Sequence, residues 1–568
     1  MKAVEAIERA YARLPGLDGN PVFISVVPRE AALAQARAVD ADARELPLRG
    51  LPFAVKDNID VAGMPTTAAC EAFSYVPGKS ATAVQKLLDA GAILVGKTNL
   101  DQFAAGLVGT RSPYGACRNA FDPRYISGGS SSGSALAVAK GIAAFALGTD
   151  TAGSGRVPAA FNGLVGLKPT RGRVSAQGVV PACRSLDCVS VFASGVGDAL
   201  RVLRVAEGPD PADPYSRRGA DVLFRDATRI AVPRARQFFG DAAYERLFDA
   251  AIGRMQALGA SVVEIDFTPF IEAQALLYEG PWLAERLAAV EDLLRDRPEA
   301  FHPVTRSVIG RGSRYSAIDA FRGQYRLAEL KKECEAAMDG AEILMVPGAP
   351  TIYTVDEVDA NPVELNARLG LYTNFANLLD MAAITVPAGR RDDGIPFGVT
   401  LLGAAFTDRA LAELAAKFLS EKISSERKDG LIRVAVVGAH LAGQPLNHQL
   451  VSRGARLVRA TRTAGAYRLF ALNDQKPAKP GLVRVSGGPN GGVKVEVEVW
   501  ELGAGEFGSF VAAIPPPLGI GTLQLEDGEE VKGFVCEDYA VAGREDISAF
   551  GGWRNYLKST SHAAREAS

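Results

Sequence analysis

Two glycine–serine clusters enclose a helix and a strand between residues 127 and 160, and no other feature restricts the chain as strongly. The first cluster, SGGSSSGSA (127–135), runs directly into a small-residue stretch and then into the apolar run AAFAL. The second, GTDTAGSGRVPAA (148–160), follows that run. A flexible linker would not lead straight into an apolar helix and strand. The small residues therefore serve close backbone approach and unusual dihedrals. Helix followed by buried strand is the pattern of α/β folds. Residues 80–99, SATAVQKLLDAGAILVGKTN, repeat it: Ala83, Val84, Leu87 and Leu88 share a helical face, Gly91 ends the helix, and Ala92–Val95 is a short buried strand. Further helices are expected near 240–258, 284–294 and 320–338, and a further buried strand in AEILMVPGAPT (341–351).

Composition bounds the classes. The chain has 568 residues, 48% of them apolar, enough for a sizeable core. Its 63 Lys+Arg and 65 Asp+Glu leave a net charge of −2, which argues against a nucleic-acid partner. No apolar run reaches the roughly 18 residues of a membrane span. The N-terminal MKAVEAIERAYARL reads as an amphipathic helix and not as a signal peptide. Six cysteines form no dense framework and read as reduced cytoplasmic thiols, with Cys183 and Cys188 as buried small side chains. The polar run SEKISSERKDG (420–430) reads as a linker, and LIRVAVVGAH (431–440) opens a β-rich region with a turn at GGPNGG (487–492). The expected organisation is an α/β domain over 1–420, a linker over 421–430, a small β-rich α+β domain over 431–558, and a tail over 559–568.

Candidate chemistry sits at strand ends. Lys56 closes the apolar LPFAVK, where partial desolvation lowers a lysine's pKa and can leave a neutral base. The turn after AAFAL exposes consecutive backbone N–H groups, as an oxyanion hole requires, with Ser154 inside it and Asp150 and Arg156 able to pair and stiffen it. GAILVGKT (91–98) satisfies the P-loop pattern. Its helix precedes the motif, and its four middle residues are Ala-Ile-Leu-Val, so it reads as a buried strand. Of four histidines, only His302 precedes the linker, and none lies at metal-ligand spacing.

Taken together these segments resemble the amidase signature family. Ser130 and Ser154 stand 24 positions apart as in that family, and GKTNLDQFAAG (96–106) and FNGLVGLKPTRGRVS (161–175) match as well. The resemblance covers nearly all of 1–420 and implies an amidase signature fold, a large mixed sheet flanked by helices. It implies a Ser–cisSer–Lys triad: Ser154 the nucleophile, Ser130 the proton relay, Lys56 the terminal base. Backbone at Thr151, Ala152, Gly153 and Ser154 would stabilise the oxyanion. No cofactor or metal is implied. A homodimer is.

The turn TAGSG, with Ala152 and Gly155, resembles the allophanate hydrolase subgroup. YEGPWLAER (278–286) places Tyr278 and Arg286 eight apart, as the substrate-binding pair of that subgroup stands, and an arginine fork suits a small carboxylate. Beyond the linker, VVGAHLAGQPLN (436–447), TRTAGAYRLFAL (461–472), FGSFVAAIPPPLGIGTLQLEDG (507–528) and EDISAFGGWRNYL (545–557) resemble the C-terminal domain of the subgroup. The implied activity is hydrolysis of allophanate to ammonia and N-carboxycarbamate, with decarboxylation assisted by the C-terminal domain. In that domain a faint likeness to γ-glutamyl cyclotransferase-like folds favours His440 over His448, and a structural role for either stays open. Carboxybiuret- or malonamidate-type amidases are the alternatives within the enzyme class. An amidotransferase subunit is the alternative outside it.

Overall fold

The computed structural model describes residues 2–224, 229–423, 431–485 and 491–566, the last six without their side chains. The chain divides into two compact units, Met1–Ile423 and Ser424–Ser568. Among the described residues of the first unit, eleven strands form one mixed sheet. They are β1 (Phe23–Val26), β2 (Pro52–Lys56), β3 (Ile93–Thr98), β4 (Phe145–Asp150), β5 (Val165–Lys168), β6 (Cys188–Ala193), β7 (Arg229–Pro233), β8 (Ser261–Ile265), β9 (Ile343–Pro347), β10 (Ala382–Arg390) and β11 (Pro396–Gly403). Their spatial order is β1-β3-β2-β4-β6-β5-β10-β11-β9-β7-β8. Strand β2 runs parallel to β3 and β4, and β7 runs parallel to β8 and β9; the other neighbours are antiparallel.

Helices cover both faces, so β2, β3, β4, β6, β9 and β11 are buried along their whole length. That is why they read as apolar runs without alternation. Successive residues still point to opposite faces. Phe53 and Val55 enter the main core with Leu147 and Val191, whereas Ala54 joins Ala135, Leu136, Ala146 and Phe192 on the other side. The helix Ser132–Ala139 lies on that second face, buried from Ser132 to Val138. A Cβ at its Gly133 would stand 2.2 Å from Val22 O, so the helix needs its small residues to lie this close to the β1 approach.

Two expected elements end elsewhere. Strand β3 continues through Gly96-Lys97-Thr98, and Lys97 is buried against Asp57 (Nζ–Oδ1 3.2 Å) while donating to Thr66 Oγ1 at 2.7 Å. The apparent P-loop is thus a strand whose lysine is already paired. The stretch 284–294 forms two helices, Trp282–Ala288 and Glu291–Asp296. Val290 breaks them apart by turning inward to an apolar cluster with Phe103, Phe301 and Ile309.

In the second unit, β12 (Leu431–Val436), β13 (Arg456–Arg462), β16 (Glu496–Gly503), β17 (Leu518–Gln524) and β18 (Glu530–Cys536) form a sheet ordered β13-β16-β12-β18-β17. The strands β14 (Tyr467–Leu472) and β15 (Lys479–Arg484) pair separately. Val434, Val436, Val497, Val499 and Phe534 share its core. Positions 424–430 of the expected linker, and 487–490 of the expected turn, lie outside the described residues. Helix Trp553–Glu566 occupies the start of the expected tail, anchored by buried Trp553 and Tyr556. Among the described residues no helix is long and apolar enough to cross a membrane.

Candidate active site

Because β2 and β4 are parallel neighbours, their C-terminal ends open on the same side of the sheet. Lys56 ends β2, and Thr149 and Asp150 end β4. Lys56 Nζ donates to Ser130 Oγ at 2.8 Å and to Thr149 Oγ1 at 2.7 Å, and Ser130 Oγ donates to Ser154 Oγ at 2.9 Å. Lys56, Ser130 and Ser154 are all buried. Burial drives the Lys56 pKa down to about 7, against the pull of Asp101, Asp187 and Asp150. The three side chains form one continuous path from amine to hydroxyl to hydroxyl, with the amine able to be neutral near pH 7.

The Gly129–Ser130 peptide is cis. A Cβ on Gly129 would meet Asp101 Oδ2 at 2.1 Å and Gly109 N at 2.6 Å. Asp101 in turn accepts from Gly109 N (3.0 Å) and Arg111 N (2.9 Å) and donates its own N–H to Ser130 O (3.2 Å). The Gly-Gly pair is therefore the space that lets this loop reach Ser130.

The turn after β4 is held from beneath. Arg156 Nε and Nη2 each donate to Asp150 at 2.9 Å, both side chains fully buried, and Gly155 N donates to Asp150 Oδ2 at 3.0 Å. Asn377 Nδ2 donates to Asp150 O at 2.8 Å. Gly153 has φ +146, and a Cβ there would stand 2.5 Å from Thr373 Oγ1. Gly155 faces Ser190, whose Cβ would be 2.6 Å from an added Cβ. The backbone N–H groups of Thr151 to Ser154 donate to no acceptor among the described residues. They remain free to receive a developing oxyanion.

Tyr278 and Arg286 come together across the break between helices Thr268–Glu279 and Trp282–Ala288. Arg286 Nη2 donates to Tyr278 Oη at 3.3 Å, and its guanidinium lies 5.0 Å from the Tyr278 ring centroid. Only 2% of Arg286 is exposed, yet among the described residues its Nε and Nη1 have no hydrogen-bond partner. A buried guanidinium edge of this kind can receive a carboxylate in a two-point contact. The pair lies beside the 151–154 turn: Ala152 shares an apolar patch with Cys183, Leu277 and Trp282, and Tyr278 packs on that patch.

Three further contributors stand outside the candidate residues read from the sequence, although Thr149 lies within GTDTAGSGRVPAA (148–160). Thr149 accepts from Lys56, Asn377 ties Asp150 O to Leu186 O at 2.8 Å each, and Asp187 accepts from Thr151 Oγ1 at 2.5 Å. Thr149 was open to inference, because it alternates with Thr151 at the end of the strand that delivers the turn. Asn377 and Asp187 are brought in by tertiary contacts alone. His302 caps helix Pro303–Gly310 by accepting from Val304 N, outside the serine–lysine path. In the second unit, His440 Nε2 lies 3.0 Å from Gln449 Oε1, and its ring stacks on Phe534 at 5.0 Å and meets Phe510 edge-on at 5.2 Å. Burial lowers its pKa. His448 is exposed, with Nδ1 2.9 Å from Pro445 O. Among the described residues no group of three or more His, Cys, Asp or Glu side chains is placed to hold a metal ion.

The amidase family model matches residues 5–412, and the chain belongs to that family; it is an amidohydrolase with the amidase signature fold. A second model, the allophanate hydrolase C-terminal domain, matches residues 432–558. The urea amidolyase of Saccharomyces cerevisiae is 45% identical over 571 residues, which cover 94% of this chain and 31% of that protein. The chain thus spans under a third of the length of the curated urea amidolyases it matches. A Kluyveromyces lactis allophanate hydrolase structure is 41% identical, with a TM-score of 0.76 over 99% of this chain and 97% of that one. The K. lactis urea amidolyase structure matches at the same score and identity over 99% of this chain and 36% of its own.

Proposed function

We propose that this chain hydrolyses the amide of allophanate, releasing ammonia and N-carboxycarbamate. Ser154 Oγ attacks the amide carbonyl while Ser130 takes its proton and Lys56 accepts the one Ser130 gives up. The free N–H groups of the 151–154 turn receive the oxyanion. The relay returns a proton to the departing NH2, which leaves as ammonia, and an acyl ester remains on Ser154. Water then attacks the ester by the same relay run again, giving N-carboxycarbamate and free Ser154. Arg286 and Tyr278 hold the substrate's carboxylate.

The observation that carries the choice of substrate is the unpaired Nε and Nη1 of buried Arg286 beside the oxyanion turn. Allophanate hydrolase relatives matching over the whole chain support the same reading. Ammonia release is to be compared among allophanate, biuret, malonamate and a fatty amide. Preference for allophanate is expected, and no release from it rejects the assignment.

In the same reading the second unit assists decarboxylation of the product, with His440 as the neutral imidazole involved. A chain ending at Ile423 should then release ammonia faster than carbon dioxide; equal rates remove the second unit from that step. The reading makes the chain a cytoplasmic homodimer, and six free, buried cysteines suit a reducing compartment.

A further inference from the structure

The turn Ala182–Asp187 touches both halves of the site. At one end Asp187 receives Thr151 Oγ1 (2.5 Å), and folds its own turn by accepting from Ala182 N (2.9 Å) and Cys183 N (3.2 Å). At the other end Glu285, one residue before Arg286, accepts from Ser185 N (2.7 Å) and Ser185 Oγ (2.8 Å). Cys183 Sγ lies 3.6 Å from Trp282 O, and Asn377 fastens Leu186 O to Asp150 O. These polar links from the 151–154 turn to the arginine-bearing helix pass through the six residues 182–187. None of these residues belongs to the serine–lysine path.

We propose that this turn is a spacer that sets the distance between the carboxylate-binding fork and the oxyanion turn, with Asp187, Ser185 and Glu285 as specificity-determining positioning residues. The inference rests on the carboxylate reading of Arg286. On this proposal the turn is set for an amide whose carboxylate is one atom from its carbonyl, as in allophanate or malonamate, and an amide with two intervening atoms, as in succinamate, would overshoot. Reacting atoms displaced by about 1 Å lose roughly 100-fold in rate, so a rigid spacer discriminates by length. The pair of bonds at Glu285 is the more informative target, because Ser185 and Glu285 are only half-buried and neither bonds to the 151–154 turn among the described residues.

The test measures kcat and KM for malonamate and succinamate in wild type, Ser185→Ala, Glu285→Gln and Asp187→Asn, with fluorophosphonate labelling of Ser154 as a substrate-independent control. Wild type should favour malonamate. Each variant should narrow the ratio of the two kcat/KM values by about tenfold, through kcat more than KM, while Ser185→Ala and Glu285→Gln label at the wild-type rate. If wild type labels but cleaves neither anionic amide, the carboxylate reading fails and the spacer fails with it. If wild type prefers malonamate and Ser185→Ala and Glu285→Gln keep the ratio, the spacer alone is wrong. A ratio that falls only in proportion to lost labelling also overturns it, since the turn would then merely support the nucleophile.

Discussion

Replacing Lys56 by methionine tests the relay most directly. The side chain keeps its length and apolar stem, and loses the amine that bonds Ser130 and Thr149. A lysine with the ordinary value of 10.5 is about one part in 3,000 neutral at pH 7, whereas one lowered to about 7 is about half neutral. Burial thus raises the available base about 1,000-fold. Wild-type kcat/KM should rise with pH through a midpoint near 7, and Lys56→Met should lose that limb together with at least about 1,000-fold in rate. Stability gives a second readout with a definite sign. Between pH 7 and 10.5 the unfolded chain carries a proton on Lys56 that the folded chain has released, so stability rises with pH across that window. The gap corresponds to at most about 5 kcal/mol, measured as the difference in unfolding free energy between wild type and Lys56→Met at the two ends of the window. Urea unfolding at a series of pH values supplies the curve. A flat wild-type rate profile from pH 6 to 9, or a limb that survives in Lys56→Met, refutes the neutral lysine.

Arg286→Ala should raise KM for an anionic amide roughly 30-fold, about 2 kcal/mol for a lost charge-assisted contact, and leave a neutral amide nearly unchanged; equal effects remove Arg286 from carboxylate binding. Gly153→Ala should lower kcat about 100-fold, because a Cβ 2.5 Å from Thr373 Oγ1 displaces the turn, and initial rates at saturation read this directly. Arg156→Met leaves the buried Asp150 carboxylate without its ion-pair partner, and should lower the unfolding free energy by about 3–5 kcal/mol in denaturant titrations.

The parts of the site that lie along one stretch of chain were readable, and the parts assembled across the fold were not. The Asp150–Arg156 brace spans six residues and follows from a turn that must be rigid. Lys56, Ser130 and Ser154 are far apart in sequence, but each sits at a strand end or helix start whose local composition marks it. Gly153 and Gly129 announce tight approach without saying to what; Thr373 and Asp101 supply the answer only in three dimensions. Asp187 and Asn377 carry no local mark at all. Their partners lie 36 and 227 positions away, and their residue types are ordinary in turns and helices. The stretch 284–294 divides for a related reason: its spacing is helical, but burial of Val290 beside Phe103 and Phe301 outweighs continuity.

Tyr278 and Arg286 stand on helices that follow β8, an edge strand of the large sheet, whereas Lys56 ends β2, Ser130 leads into the helix before β4, and Ser154 lies in the turn after β4. The serine–lysine path and the Tyr278–Arg286 pair thus rest on different parts of the sheet, one among its interior strands and one beyond its edge. Under the proposed reading, substitutions near that edge should change which amide is accepted while the Lys56–Ser130–Ser154 hydrogen bonds stay in place.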